Sequence, residues 1–112
     1  MSDEQRRQNP RYAFIASAEL LEPSTEMRIA TRVSELSLHG CYLDMLNPFP
    51  VNTLVRVKIS SGDAAFQSQA RVVYAHANFG AGMTFLNVEP EYMAVLQKWL
   101  EDAGKDPDRL IG

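Results

Sequence analysis

The chain is patterned for most of its length with a period of two. From Tyr12 to Glu22, Phe14, Ala16, Ala18 and Leu20 fall on one alternating face, which predicts a first strand. Pro23-Ser24-Thr25 supplies a turn. Arg28 to Leu38 sets Ile29, Thr31, Val33 and Glu35 against Ala30, Arg32, Ser34, Leu36 and Leu38. Neither set is wholly apolar, so this second strand is expected to change its exposed face or to bulge near its end. Gly40 permits a sharp change of direction into a short third strand, Cys41 to Leu46, and Pro48 and Pro50 then forbid ladder bonding and mark a loop. Val55, Val57 and Ile59 alternate cleanly with Arg56, Lys58 and Ser60 in a fourth strand that is half buried. After Ser61-Gly62-Asp63, a fifth strand from Ala65 to Ala77 places Phe66, Ala70, Val72 and Tyr74 on one face, Asn78 marks a turn, and Phe79 to Val88 is a sixth.

The period changes at Pro90. Tyr92, Val95, Leu96 and Trp99 follow the i, i+3, i+4, i+7 spacing of one helical face, with proline at the first helical position and Gly104 as the stop. Frequent turns between short strands favour a small barrel over a parallel sheet, which would need intervening helices. The predicted fold is all-β with a C-terminal helix: a six-stranded antiparallel β-barrel whose open end the helix plugs. The expected organisation is a flexible arginine segment over residues 1–11, the barrel and helix over 12–104, and a polar tail over 105–112.

Composition narrows the function. A chain of 112 residues with 46% hydrophobic content suits one domain with a real core and leaves no room for a second catalytic domain. A net charge of −3 argues against binding long nucleic acid, which needs many phosphate contacts. Cys41 is the single cysteine, so neither an internal disulfide nor a cysteine-rich zinc site is expected. No apolar run approaches a membrane span and no signal-peptide core is evident, so the expected location is cytoplasmic.

The candidate chemistry lies in two short segments. Arg6, Arg7 and Arg11 crowd the front of an otherwise acidic chain, and Pro10 makes a helical reason for their spacing unattractive. A guanidinium grips phosphate or the guanine edge through two parallel hydrogen bonds, so the cluster suits a small guanine-containing anion. Further on, Glu35-Leu36-Ser37-Leu38-His39-Gly40 offers a carboxylate, a hydroxyl, an imidazole able to stack or hydrogen-bond, and a close backbone approach.

On these residues the chain resembles the PilZ domain family. That family carries Arg-x-x-x-Arg near its N-terminus, matched by Arg7 and Arg11, and Asp/Asn-x-Ser-x-x-Gly between the second and third strands, matched by Ser37 and Gly40 with Glu35 at the acidic position. Gly82-Met83-Thr84-Phe85-Leu86 is similar to the family's closing strand. The resemblance implies a receptor for cyclic di-GMP, a bacterial second messenger with two guanines and two phosphates, with Arg6, Arg7, Arg11, Glu35, Ser37, His39 and Gly40 as ligand-binding residues. It implies a conformational change on binding that regulates a protein partner in trans, with no catalysis, metal or cofactor. The alternative is a degenerate PilZ domain that keeps the barrel, binds no nucleotide and serves as a protein-interaction module. Enzymatic readings find little support: Ser37 lacks a Gly-x-Ser-x-Gly elbow, Cys41 sits in an alternating strand, His39 and His76 show no metal-ligand grouping, and no nucleotide-hydrolysing Gly-x-x-x-x-Gly-Lys loop is present.

Overall fold

The computed structural model describes residues 10–111. Six strands form a closed antiparallel ring: β1 (Arg11–Glu22), β2 (Met27–Leu36), β3 (Gly40–Asp44), β4 (Leu54–Ser61), β5 (Ala64–His76) and β6 (Gly80–Leu86). Their order is β2-β3-β6-β5-β4-β1, and the pairing of β1 with β2 closes the barrel. The alternating apolar positions point inward as the pattern requires: Leu20, Val33, Leu43, Val55, Val57, Ile59, Phe66 and Val72 are all essentially inaccessible to solvent. Burying each large apolar side chain contributes about 1.5–3 kcal/mol, which is what holds strands of such distant sequence together.

Helix α1 (Pro90–Gly104) starts on proline and packs Leu96, Trp99 and Ala103 against β1 and β5. Phe14 of β1 meets Trp99 at a ring separation of 5.2 Å, and Phe66 of β5 meets Tyr92 edge-on at 6.4 Å. These contacts make the helix part of the barrel's core. Beyond it, residues 105–112 were expected to be a polar tail. Asp106 instead caps a 3-10 turn, Pro107–Arg109, by accepting from the Asp108 amide. Leu110 and Ile111 then form a short strand, β7, opposite Tyr12 and Arg11. Two apolar residues in extended backbone at the free edge of β1 are enough to complete a pairing that charge content alone did not reveal.

Three ladders are irregular. Register shifts occur between Ala13 and Ala16 where β1 meets β2, between Val33 and Glu35 where β2 meets β3, and between Val72 and Tyr74 where β5 meets β6. The second is the bulge expected from the mixed pattern of β2. The third overturns a sequence expectation: Tyr74 does not share the inward face of Phe66, Ala70 and Val72. Val73 is the extra residue, both Val73 and Tyr74 are exposed, and the strand beyond runs with its faces exchanged.

Candidate ligand-binding site

Arg11 opens β1, where β7 flanks it, and extends toward the end of β2. Its guanidinium nitrogen lies 3.4 Å from Oε1 of Glu35, and both side chains are partly exposed. Arg6 and Arg7 lie outside the described residues. Glu35 sits opposite Tyr42 across the β2–β3 ladder, so the same few residues bring a cation, a carboxylate and a phenol to one wall.

The turn between β2 and β3 is held by Ser37. Its amide donates to the Gly40 carbonyl at 2.9 Å, and its hydroxyl oxygen accepts from the amides of His39 and Gly40 at 3.3 and 3.2 Å. Ser37 therefore shapes the turn as well as lining the site. Gly40 has a steric reason of its own, because a Cβ built there would fall 2.2 Å from the Met83 carbonyl oxygen of β6. His39 is exposed, and its carbonyl accepts the Phe85 amide at 2.8 Å and the Thr84 hydroxyl at 3.3 Å. The backbone of His39 thus fastens the turn to β6, while its imidazole is not among the groups lining the pocket.

That pocket, about 100 Å³, brings together Arg11, Glu35, Ser37 and Gly40 with Tyr42, Val73, Tyr74 and Gly82. Its floor is glycine. Gly82 lies opposite Tyr42 on one side and Tyr74 on the other, and a Cβ there would fall 2.2 Å from the Tyr74 ring. Gly80 is confined in the same way by Tyr42 and the Leu43 carbonyl. The rings can lie down on the sheet only because β6 has no side chains at these outward positions. Tyr42, Tyr74 and His76 form a cluster with ring separations of 6.1, 6.3 and 5.3 Å. The Tyr42 hydroxyl is 3.4 Å from Nδ1 of His76. Desolvation, followed by the proximity of Tyr74, Asp44 and Glu35, pushes the Tyr42 phenol above its ordinary pKa, so it stays protonated and can donate at neutral pH.

Sequence reasoning missed Tyr42 and Tyr74. The Gly-x-Gly spacing of 80 and 82 was the available signal, since alternate glycines on one strand face leave room for rings from the neighbouring strands. A larger open groove of about 680 Å³ lies between Ile29, Met45, Leu46 and Phe79, and none of the expected site residues among those described lines it. Size alone would favour it. A guanidinium, a carboxylate, hydroxyls and planar rings converge on the smaller pocket and favour it, as a polar planar ligand needs them more than it needs enclosure. Cys41 is buried, and burial pushes its thiol up to about 12, leaving it a neutral core group. Among the described residues no cluster of His, Cys, Asp and Glu could hold a metal ion, and no helix is long and apolar enough to cross a membrane.

The family model of the PilZ domain matches residues 5–102. The chain belongs to the PilZ domain family. No curated protein matches it by sequence. Among solved structures, it is similar to the inhibitor of motility MotI/DgrA of Bacillus subtilis, with a TM-score of 0.76 and 14% identity over 92% of this chain and 53% of that one. It therefore spans about half the length of that protein. The PilZ domain of YcgR from Escherichia coli, solved with c-di-GMP, gives a TM-score of 0.72 and 16% identity, covering 91% of this chain and 94% of that one. The PilZ domain of CeSA from a cellulose-synthesizing bacterium gives 0.68 and 14%, covering 82% and 95%. At these identities the likeness is one of fold, and it agrees with the closed six-stranded barrel and C-terminal helix expected from the sequence.

Proposed function

We propose that this PilZ domain is a non-catalytic receptor for cyclic di-GMP that changes conformation on binding and regulates a protein partner in trans. The observation that carries the reading is the convergence of Arg11, Glu35, Ser37 and Gly40 on one pocket whose wall is a pair of tyrosines over glycine. Arg11 supplies a fork for phosphate or a guanine edge, Glu35 accepts guanine N–H groups, and Tyr74 offers a face for stacking. Arg6 and Arg7 would fold over the ligand from the N-terminal side, and this ordering gives a partner two distinguishable states. Titration calorimetry with cyclic di-GMP tests the proposal. Saturable binding is expected, and Arg7→Ala and Arg11→Ala should each weaken it by at least about tenfold, since a hydrogen bond to a charged group contributes about 1.5–3 kcal/mol.

A second reading rests on the Arg11–Glu35 ion pair. If that pair keeps both groups to itself, the barrel is a degenerate PilZ domain that works as a protein-interaction module without nucleotide. Native protein that shows no heat of binding, with binding recovered in Glu35→Asp, would establish this reading instead.

A further inference from the structure

Most of the described cations have a carboxylate beside them. Arg11 meets Glu35, Arg28 meets Glu19, Arg32 meets Asp44, and the cations of α1 and the 3-10 turn meet Asp102 and Asp106. Arg56 and Lys58 of β4 and Arg71 of β5 are the exceptions among the described residues, and Arg71 is the one a strand nearer the pocket. It forms no ion pair among the described residues, its cross-strand neighbours are Leu54 and Thr84, and Gln69 and Val73 stand on either side along the strand. None of these is charged. An exposed guanidinium set among neutral neighbours keeps its fork available for an external anion.

Its position gives that availability a direction. Arg71 is opposite Thr84, and Thr84 is opposite Gly40, so the three form one row across β5, β6 and β3. The next row holds Tyr74, Gly82 and Tyr42. Arg71 is therefore two strands from Gly40, roughly 10 Å at about 4.8 Å per interstrand step. The row is fixed, because the His39 carbonyl accepts from both the Phe85 amide and the Thr84 hydroxyl. Arg11 stands at one rim of the glycine-floored wall and Arg71 at the other.

We propose that Arg71 is a second anion contact of this site, gripping a phosphate or guanine edge of a nucleotide that lies over the Tyr42 and Tyr74 rings and extends beyond the pocket. The inference rests on the cyclic di-GMP reading above. It explains how a pocket of about 100 Å³ could serve a dinucleotide: the ligand would lie along the wall, and its far end would need a cation. Arg56 provides a control, being another exposed arginine without an ion pair among the described residues, but one strand farther away on β4.

The experiment is calorimetric titration of cyclic di-GMP into the native chain, Arg71→Ala, Arg71→Lys and Arg56→Ala, with circular dichroism confirming the fold of each. Native binding, a loss of at least about tenfold in Arg71→Ala, an intermediate loss in Arg71→Lys and a change within about twofold in Arg56→Ala support the assignment. Native binding with Arg71→Ala indistinguishable from Arg56→Ala overturns it and leaves the receptor reading standing. Absence of native binding overturns the receptor reading, and the role of Arg71 falls with it.

Discussion

Two groups of aromatic rings, at similar spacings, do opposite things in this barrel. Phe66 and Phe85 lie 4.8 Å apart in the interior, with Phe14 and Trp99 5.2 Å apart where α1 closes the core. Tyr42, Tyr74 and His76 lie on the outer wall at comparable separations. The difference is in what stands behind and before each ring. The interior rings are buried within the hydrophobic core, so their surface contributes to folding. The outer tyrosines rest on Gly82 and Gly80, and Tyr74 keeps 39% of its surface in water. A ring with a glycine beneath it and water above it is available for recognition. Ring-to-ring distance alone would not separate the groups.

That contrast can be broken by exchanging the readouts of stability and affinity. The largest expected effect is on folding: Phe66→Ala should cost about 3–5 kcal/mol in denaturant unfolding, the cost of removing a fully buried ring, since Phe66 has no accessible surface. Next, Tyr74→Ala should weaken cyclic di-GMP binding by about 1–3 kcal/mol, the value of a base–aromatic stack, while stability changes by only about 0.5 kcal/mol. Normal affinity together with a large loss of stability in Tyr74→Ala would place it with the interior rings after all. Gly82→Ala sharpens the point, because its new Cβ would meet the Tyr74 ring at 2.2 Å and force it off the wall. Gly82→Ala should lose affinity on its own but add little when combined with Tyr74→Ala, a non-additivity that a double-mutant cycle measures.

Smaller changes probe the polar rim. Glu35→Asp should strengthen binding by at most about several-fold, through one fewer rotor to fix, whereas Glu35→Ala should weaken it by removing the acceptor. Equal affinities in matched titrations would show that Glu35 serves Arg11 alone. The smallest effect lies far from the site. The Glu22 carboxylate, accepting from Ser24 and Thr25 in the β1–β2 turn, has its pKa lowered to about 2. A carboxyl lowered in the fold favours the folded state above its ordinary value of 4.5, and this contribution is lost as pH falls from there toward about 2. Glu22→Gln should flatten the acid limb of the stability curve slightly over that window, as read from urea midpoints.

The alternating apolar residues made most of the barrel legible, because a two-residue period with one buried face leaves few other folds open. Val55, Val57 and Ile59 are the clearest example, all inward and all essentially inaccessible. The helix was legible from Leu96 and Trp99 for the corresponding reason. Within the site, Arg11, Glu35, Ser37 and Gly40 were readable as a group because motif spacing survives folding, and the structure places them around one pocket. The ion pair between Arg11 and Glu35 was not readable, since it depends on the barrel bringing the ends of β1 and β2 together. Neither was the second purpose of Gly40, whose missing Cβ answers to a carbonyl on a strand more than forty residues later. Leu110 and Ile111 were too few to carry a period.

Val73 turns the bulge in β5 into a question of parity. Up to Val72, even-numbered positions of the strand belong to the interior; from Tyr74 onward, even-numbered positions belong to the wall. Paired in a regular ladder in place of the bulge, Val73 would leave composition and hydropathy untouched, yet Tyr74 and His76 would turn inward and Ala75 outward. Whether Tyr74 joins the core or the outer wall is thus settled by counting along the backbone: one unpaired residue before it decides the face, and no residue's chemistry has to change.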